Sequence, residues 1–326
     1  MVVGIVIVAV LIGIAVALAL YVDNNRNGET RLIEKAYAAG FIEKHTEIDG
    51  ATMNYAEGPD NGPALLLIHG QTSEWEDYAR VLPDLAKTYH VFAIDCFGHG
   101  ESAHDPALYT CATQGQACIS FASEVIGGDY LVSGLSSGGI IAAWIAANDP
   151  DRVQACVLED PPLFRVTPEQ MQEAPGTFVW RDGFEITHNY LAQDEIDDLA
   201  VYYAQHSYLF SLFGGLQNKI AEWTEQERAT NPDAHLTLAW VPHDWVRGMY
   251  YYDDFDPRFS ETFYQGAWLA GVDQDQIIST ITCPTIYLKA ETQYGEDGTL
   301  FAANSDEDAA RVKNSIQNCE MITIKS

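Results

Sequence analysis

Between residues 130 and 147 the chain reads YLVSGLSSGGIIAAWIAA: an apolar strand-like run, a Gly-Leu-Ser-Ser-Gly corner, then an Ala/Ile-rich helical stretch. That order constrains the local backbone strongly. A serine hydroxyl is a poor nucleophile unless it is held exposed on a tight turn, and glycines two residues to either side let a strand and a helix close against such a turn. Ser136 is therefore the candidate nucleophile, on a sharp strand-to-helix elbow.

The surrounding sequence supplies the sheet that such an elbow needs. Ile48-Asp49-Gly50-Ala51 carries Asp-Gly between alternating segments, a hairpin signal. Strand and helix patterns then alternate: strands over 64–68, 91–95, 153–158, 285–289 and 321–325, with helices over 74–89, 113–125 and 303–316. Alternation of this kind predicts an α/β fold, a doubly wound and mostly parallel sheet. It stops over about 120 aromatic-rich residues, read as an inserted helical cap. Five of the seven tryptophans fall there: Trp180, Trp223, Trp240, Trp245 and Trp268. Most of them are expected in the cap's own core, with a few facing a ligand. Leu199, Tyr202, Tyr203, His206, Phe210 and Phe213, and again Trp245, Met249 and Tyr252, recur at helical spacing.

Val2 to Val22 is an apolar run without a charged or amide side chain, long enough to cross a hydrocarbon core of about 30 Å. No Lys or Arg precedes it, as one would in a cleavable signal peptide, so it is read as an uncleaved single-pass anchor. Arg26, Arg31 and Lys35 follow the run, a small bias towards a cytoplasmic domain that leaves the side open. The expected organisation is an anchor at 1–22, a stalk at 23–43, a first core part at 44–160, the cap at 161–282 and a second core part at 283–326. A formal charge of −30 repels phosphates and argues against nucleic-acid partners. The expected partners are the membrane and a small-molecule acyl substrate. The six cysteines lack metal-ligand spacing, so no metal is expected; Cys111 and Cys118 are a disulfide option in an oxidising compartment.

Acyl transfer also needs donors for an oxyanion, an acid and a base. Leu65-Leu66-Leu67-Ile68-His69-Gly70-Gln71 is a buried strand running into a turn, which makes the Gln71 N–H the first predicted oxyanion donor. The Ser137 N–H, at a helix start whose dipole favours an anion, is the second. His69 is read as a brace for that turn.

Four motifs in this order, namely strand-His69-Gly70-Gln71, Asp95-Cys96-Phe97-Gly98-His99-Gly100-Glu101-Ser102, the elbow, and an insertion after Glu159-Asp160-Pro161-Pro162, resemble the α/β-hydrolase superfamily in its helical-cap branch. The resemblance implies a serine hydrolase, esterase-like, that acts on carboxylic esters or related acyl bonds without a cofactor, the cap choosing the substrate. The Gly138-Gly139 pair also resembles carbon–carbon bond hydrolases and cofactor-free haloperoxidases, and a non-catalytic hydrolase-like binding module is a further alternative. For the catalytic acid the resemblance leaves Asp160 and Glu291 open, with Glu159 and Asp297 behind them, because Gln293 stands where an aspartate is expected. The family's histidine follows the last strand, where this sequence reads Ile324-Lys325-Ser326, so the expectation is a chain truncated before its base.

Overall fold

The computed structural model describes residues 2–173 and 176–325, with side chains from residue 5 onward. Eight strands make one sheet: β1 (Ile42–Ile48), β2 (Ala51–Glu57), β3 (Ala64–Ile68), β4 (His90–Ile94), β5 (Tyr130–Leu135), β6 (Val153–Glu159), β7 (Thr285–Ala290) and β8 (Cys319–Ile324). Their order is β1-β2-β4-β3-β5-β6-β7-β8. β2 pairs antiparallel with β1 and β4, and all other pairings are parallel. This is the expected α/β hydrolase fold. Asp49 and Gly50, both at positive φ, form the two-residue turn between β1 and β2.

The helices that matter for the site are α1 (Val2–Ala38), α2 (Cys111–Phe121), α3 (Ser137–Asn148), α4 (Leu199–His206), α5 (Leu216–Thr230), α6 (His243–Tyr250) and α7 (Asp306–Ser315). α3 is apolar all round and almost wholly buried, as a helix without a polar face is expected to be. With α2 and α7 it covers one face of the sheet, where Val132, Leu158, Tyr287, Ile141 and Phe121 share a core. On the other face Leu65, Leu67, Val91 and Ala93 pack with Trp75, Tyr78 and Leu82, and with Ile33 and Ala36 of α1.

α1 departs from the expected anchor-plus-stalk arrangement. It is one continuous 37-residue helix. Its first part is bare, with Ile5 63% and Leu20 64% exposed, whereas Asn25, Glu29, Ile33 and Ala36 are buried. Spacings of four, four and three residues put those side chains on one stripe of a helix, so residues expected to form a stalk dock instead onto the folded domain.

Three other expectations need correction. The helix expected over 74–89 is a 3₁₀ segment, Trp75–Arg80, followed by a single turn, Leu82–Leu85; Pro83 lacks an N–H and starts a new turn rather than continuing one. Cys111 and Cys118 are buried free thiols. The helical stripe from Leu199 to Phe213 breaks at Ser207, whose hydroxyl accepts from the Phe210 N–H (3.2 Å) and caps a new turn.

The helical insertion between β6 and β7, expected to be a cap, has a small core of its own, including Ala204, Phe210, Ile220, Leu238 and Met249. Trp180 and Trp268 are buried, but Trp240 and Trp245 are 54% and 52% exposed. Those two tryptophans lie outside the buried clusters and outside the lining of the cavity at Ser136.

Candidate active site

β5 is flanked by β3 and β6, and the chain order reverses between β3 and β5. Ligands of open α/β sheets bind at such reversals, outside the carboxyl ends of the strands. Ser136 lies at that point, immediately after β5, with φ 52° and ψ −117°. A non-glycine residue held there stores about 1–3 kcal/mol of backbone strain, which the surroundings must fix in place.

The fixing is steric. A Cβ on Gly138 would lie 2.3 Å from the carbonyl oxygens of both Ile68 and His69, and one on Gly134 would lie 2.2 Å from the Gly138 oxygen. β3, β5 and α3 therefore approach as closely as backbones can. The backbone of Ser136 is spent on this frame: its N–H donates to the Glu159 carbonyl (2.9 Å) and its carbonyl accepts from Gly139 and Ile140. Among the described residues its hydroxyl has no hydrogen-bond partner, and it faces a cavity of about 270 Å³. Phe178, Phe184, Tyr203, Tyr252 and Phe263 give that cavity an apolar wall.

Gln71 and Ser137 line the same cavity. Gly70 passes so near the elbow that a Cβ there would meet the Ser136 Cβ at 3.3 Å. Neither the Gln71 nor the Ser137 N–H donates to another group among the described residues. Two free amides thus belong to residues that line the same cavity as Ser136, one of them at the positive end of α3. The Gln71 side chain reaches the cap, its Nε2 donating to the Gly183 carbonyl (3.0 Å).

His69 is a brace. Its Nε2 accepts from the Cys96 N–H (2.9 Å), its Nδ1 donates to the Gly70 carbonyl (2.6 Å), and burial pushes its pKa down to about 4, so it is neutral. Thr72, absent from the expected site residues, also lines the cavity. It sits at φ 60° with its N–H donating to His99 Nε2 (3.2 Å). No sequence signal marks it, because a threonine at positive φ breaks the usual preference.

The candidate acids scatter. Asp160, at φ 45°, follows β6; its Oδ1 accepts from the Ala290 N–H (3.0 Å) at the end of β7. Burial pushes its carboxyl up, against the pull of that N–H and of the buried Lys289. Glu159 accepts from Ser133 Oγ (2.6 Å) and Tyr78 OH (3.2 Å), and burial raises its carboxyl too. Glu291 is exposed one residue past β7. Asp297 ties a loop to the cap through the Thr299 N–H, Tyr208 OH and Arg181, and these hold its carboxyl at about 2. None of the four lines the cavity. The carboxylate that does, Asp182, has its oxygens taken by Tyr208 N–H (2.6 Å), Leu209 N–H (2.9 Å) and Ser207 Oγ (3.1 Å).

Among the described residues, none of the nine histidines lines the cavity either. A larger hollow of about 410 Å³ lies elsewhere, walled by Glu43, Glu74, Glu76, Glu101, Asp253 and Asp254. Burial and the nearby carboxylates, Asp95 among them, push Glu74 and Glu76 above the ordinary carboxylate range, and burial does the same to Asp95.

Residues 65–295 match the model of the alpha/beta hydrolase family. Over 128 residues, 39% of this chain and 34% of the relative, the sequence is 32% identical to the dihydrolipoyllysine-residue acetyltransferase component of the acetoin cleaving system of Cupriavidus necator. Over 119 residues, 36% of this chain and 59% of the relative, it is 27% identical to a human serine hydrolase-like protein. The matched stretches thus span about a third and under two thirds of those relatives. A membrane phospholipase A, described as a bacterial virulence factor, superposes over 100% of this chain and 91% of its own with a TM-score of 0.55 at 19% identity, a likeness of fold. With its family model matched from β3 to beyond β7, on the sheet and elbow described above, the chain belongs to the alpha/beta hydrolase family.

Proposed function

We propose that this chain is a membrane-anchored serine hydrolase that cleaves carboxylic esters or related acyl bonds. The observation that carries the reading is the unbonded Ser136 hydroxyl on a strained elbow, at an apolar cavity that Gln71 and Ser137, whose amides are free, also line. In this reading Ser136 Oγ attacks the acyl carbon, and the Gln71 and Ser137 amides receive the charge that develops on the carbonyl oxygen. Each such donor is typically worth about 10²–10³ in rate. Asp160 is the better placed acid of the two leading candidates, because it is half-buried and held by the β7 backbone while Glu291 stands in solvent.

The base is the open position. β8 runs parallel to β7, so chain following Ile324 emerges at the same carboxyl edge as Ser136, which is where the resemblance puts a histidine. A second reading, a binding module that turns nothing over, is favoured by a cavity lining without a histidine among the described residues. The bare apolar part of α1 supports the anchor.

Short p-nitrophenyl esters separate the two readings. The enzyme reading expects turnover that depends on Ser136 and falls to the background rate in Ser136→Ala. It also expects Asp160→Asn to lower turnover. No turnover, or equal turnover in the wild type and Ser136→Ala, leaves the binding module.

A further inference from the structure

The bare part of α1 ends beside an aromatic face of the cap. Tyr21, at the last turn of the apolar run, donates its hydroxyl to the Trp240 carbonyl (3.3 Å), and Asn25 one turn on donates to the Ala239 carbonyl (2.9 Å). Trp240 itself is 54% exposed. On α6, Trp245 is 52% exposed and stacks on Phe213, the ring centroids 4.8 Å apart and the planes 2° from parallel. Leu212, before α5, and Leu216, its first residue, flank Phe213 in sequence and are 55% and 41% exposed. Large apolar side chains exposed together on one face are unusual for a water-soluble surface.

The face is held at a fixed level along α1. Within α6, His243 and Arg247 point to α1, where Arg247 pairs with the buried Glu29 (2.6 Å) and His243 Nε2 lies 3.1 Å from it. Trp245 lies about 160–200° around the helix from those two, since each residue advances about 100°. The docked half of α1 therefore fixes the distance between the apolar run and the tryptophans. Tryptophan and tyrosine at the level where an apolar helix leaves the hydrocarbon are the residues that settle among lipid headgroups, an apolar body with a polar edge.

We propose that Trp240, Trp245, Phe213, Leu212 and Leu216 form a docking face for the bilayer surface, immersed among the headgroups of the membrane that holds α1. The inference rests on α1 being a membrane anchor. Gly248, one turn after Trp245 on nearly the same side of α6, borders the cavity at Ser136, and a Cβ there would meet open space. Docking of this face therefore sets the cavity mouth against the lipid surface.

α1 contains no tryptophan, and Trp75 and Trp144 outside the insertion are common to wild type and variant, so the difference in quenching between the two reports Trp240 and Trp245. The test reconstitutes the full chain in phosphatidylcholine nanodiscs with and without dibrominated acyl chains, and compares the wild type with the double variant Trp240→Phe, Trp245→Phe. An Ile12→Cys variant probed with a water-soluble maleimide reports on the anchor separately. The docking face predicts bromolipid quenching in the wild type and at least a twofold smaller quenched fraction in the double variant. Absent quenching, or equal quenching in both, with the introduced thiol shielded from the maleimide overturns the docking face and leaves the anchor intact. A freely reactive thiol at that position overturns the anchor and the docking face together.

Discussion

The elbow and the α1–cap contact both bear on the cavity, but they are held by opposite means. At the elbow, backbones meet with no room for a side chain: Gly134 and Gly138 stand where any Cβ would fall within 2.3 Å of a carbonyl. At the α1–cap contact, charges do the holding. Glu29, 1% exposed, binds Arg247 and accepts from the Tyr251 hydroxyl, and Arg247 in turn pairs with Asp77. A steric frame has one arrangement and is indifferent to pH, whereas a buried ion network depends on every partner being present and ionised. The position of the nucleophile is thus insensitive to solution conditions, while the cap and the membrane helix share a contact that conditions can loosen.

The largest expected effect comes from adding one carbon at the elbow. Gly138→Ala should cost about 3 kcal/mol or more, the upper end for an overpacked core site, read as a lower denaturant midpoint. A loss within about 0.5 kcal/mol would break the comparison, because it would show room where none is described. Glu29→Ala comes next. It leaves Arg247 with Asp77 alone in a largely buried place, so about 2–3 kcal/mol is expected, somewhat under the usual cost of breaking a buried pair. Hydrogen exchange should quicken over residues 25–36 while β5 and α3 stay protected. Uniform quickening would mean that the two regions unfold as one.

Acidity sharpens the same contrast with a smaller effect. Burial pushes Glu29 up, but His243, Arg247 and Tyr251 outweigh it and hold the carboxyl at about 2, below an ordinary value of 4.5. A depressed carboxylate stabilises the fold above its unfolded pKa, so the contribution is full above about pH 4.5 and fades as pH falls towards 2. Glu74, Glu76 and Asp95 have the opposite sign: raised by burial, they favour the fold most below the ordinary carboxylate range and lose that contribution as pH rises past it. Melting temperatures should therefore decline from mildly acidic towards alkaline pH, and α1 should undock first below about pH 4. A Glu76→Gln variant with an unchanged alkaline decline would contradict the role of the raised carboxyls in that decline.

The contrast also explains what was legible in the sequence. The elbow, the Asp-Gly hairpin and the alternating strands are local patterns, and β3, β4, β6, β7 and β8 fall within a few residues of the expected bounds because strand and turn signals lie in consecutive residues. Glu29 and Arg247 are 218 residues apart, so neither announces the other, and residues 23–43 read as a polar stalk. Pro83 was a local signal that the helix expected over 74–89 overrode. The acid stayed ambiguous because Glu159, Asp160, Glu291 and Asp297 differ in side-chain direction, which composition and spacing do not encode. Trp245 follows the same rule: helical spacing says that a stripe exists, not that it faces outward.

The account turns on an accessible, activated hydroxyl at position 136. Fluorophosphonate labelling of the full chain, with the adduct located by mass spectrometry, tests it most directly. The account predicts one adduct, on Ser136, that Ser136→Ala abolishes. Equal labelling of both proteins, or an adduct on another serine, would contradict it.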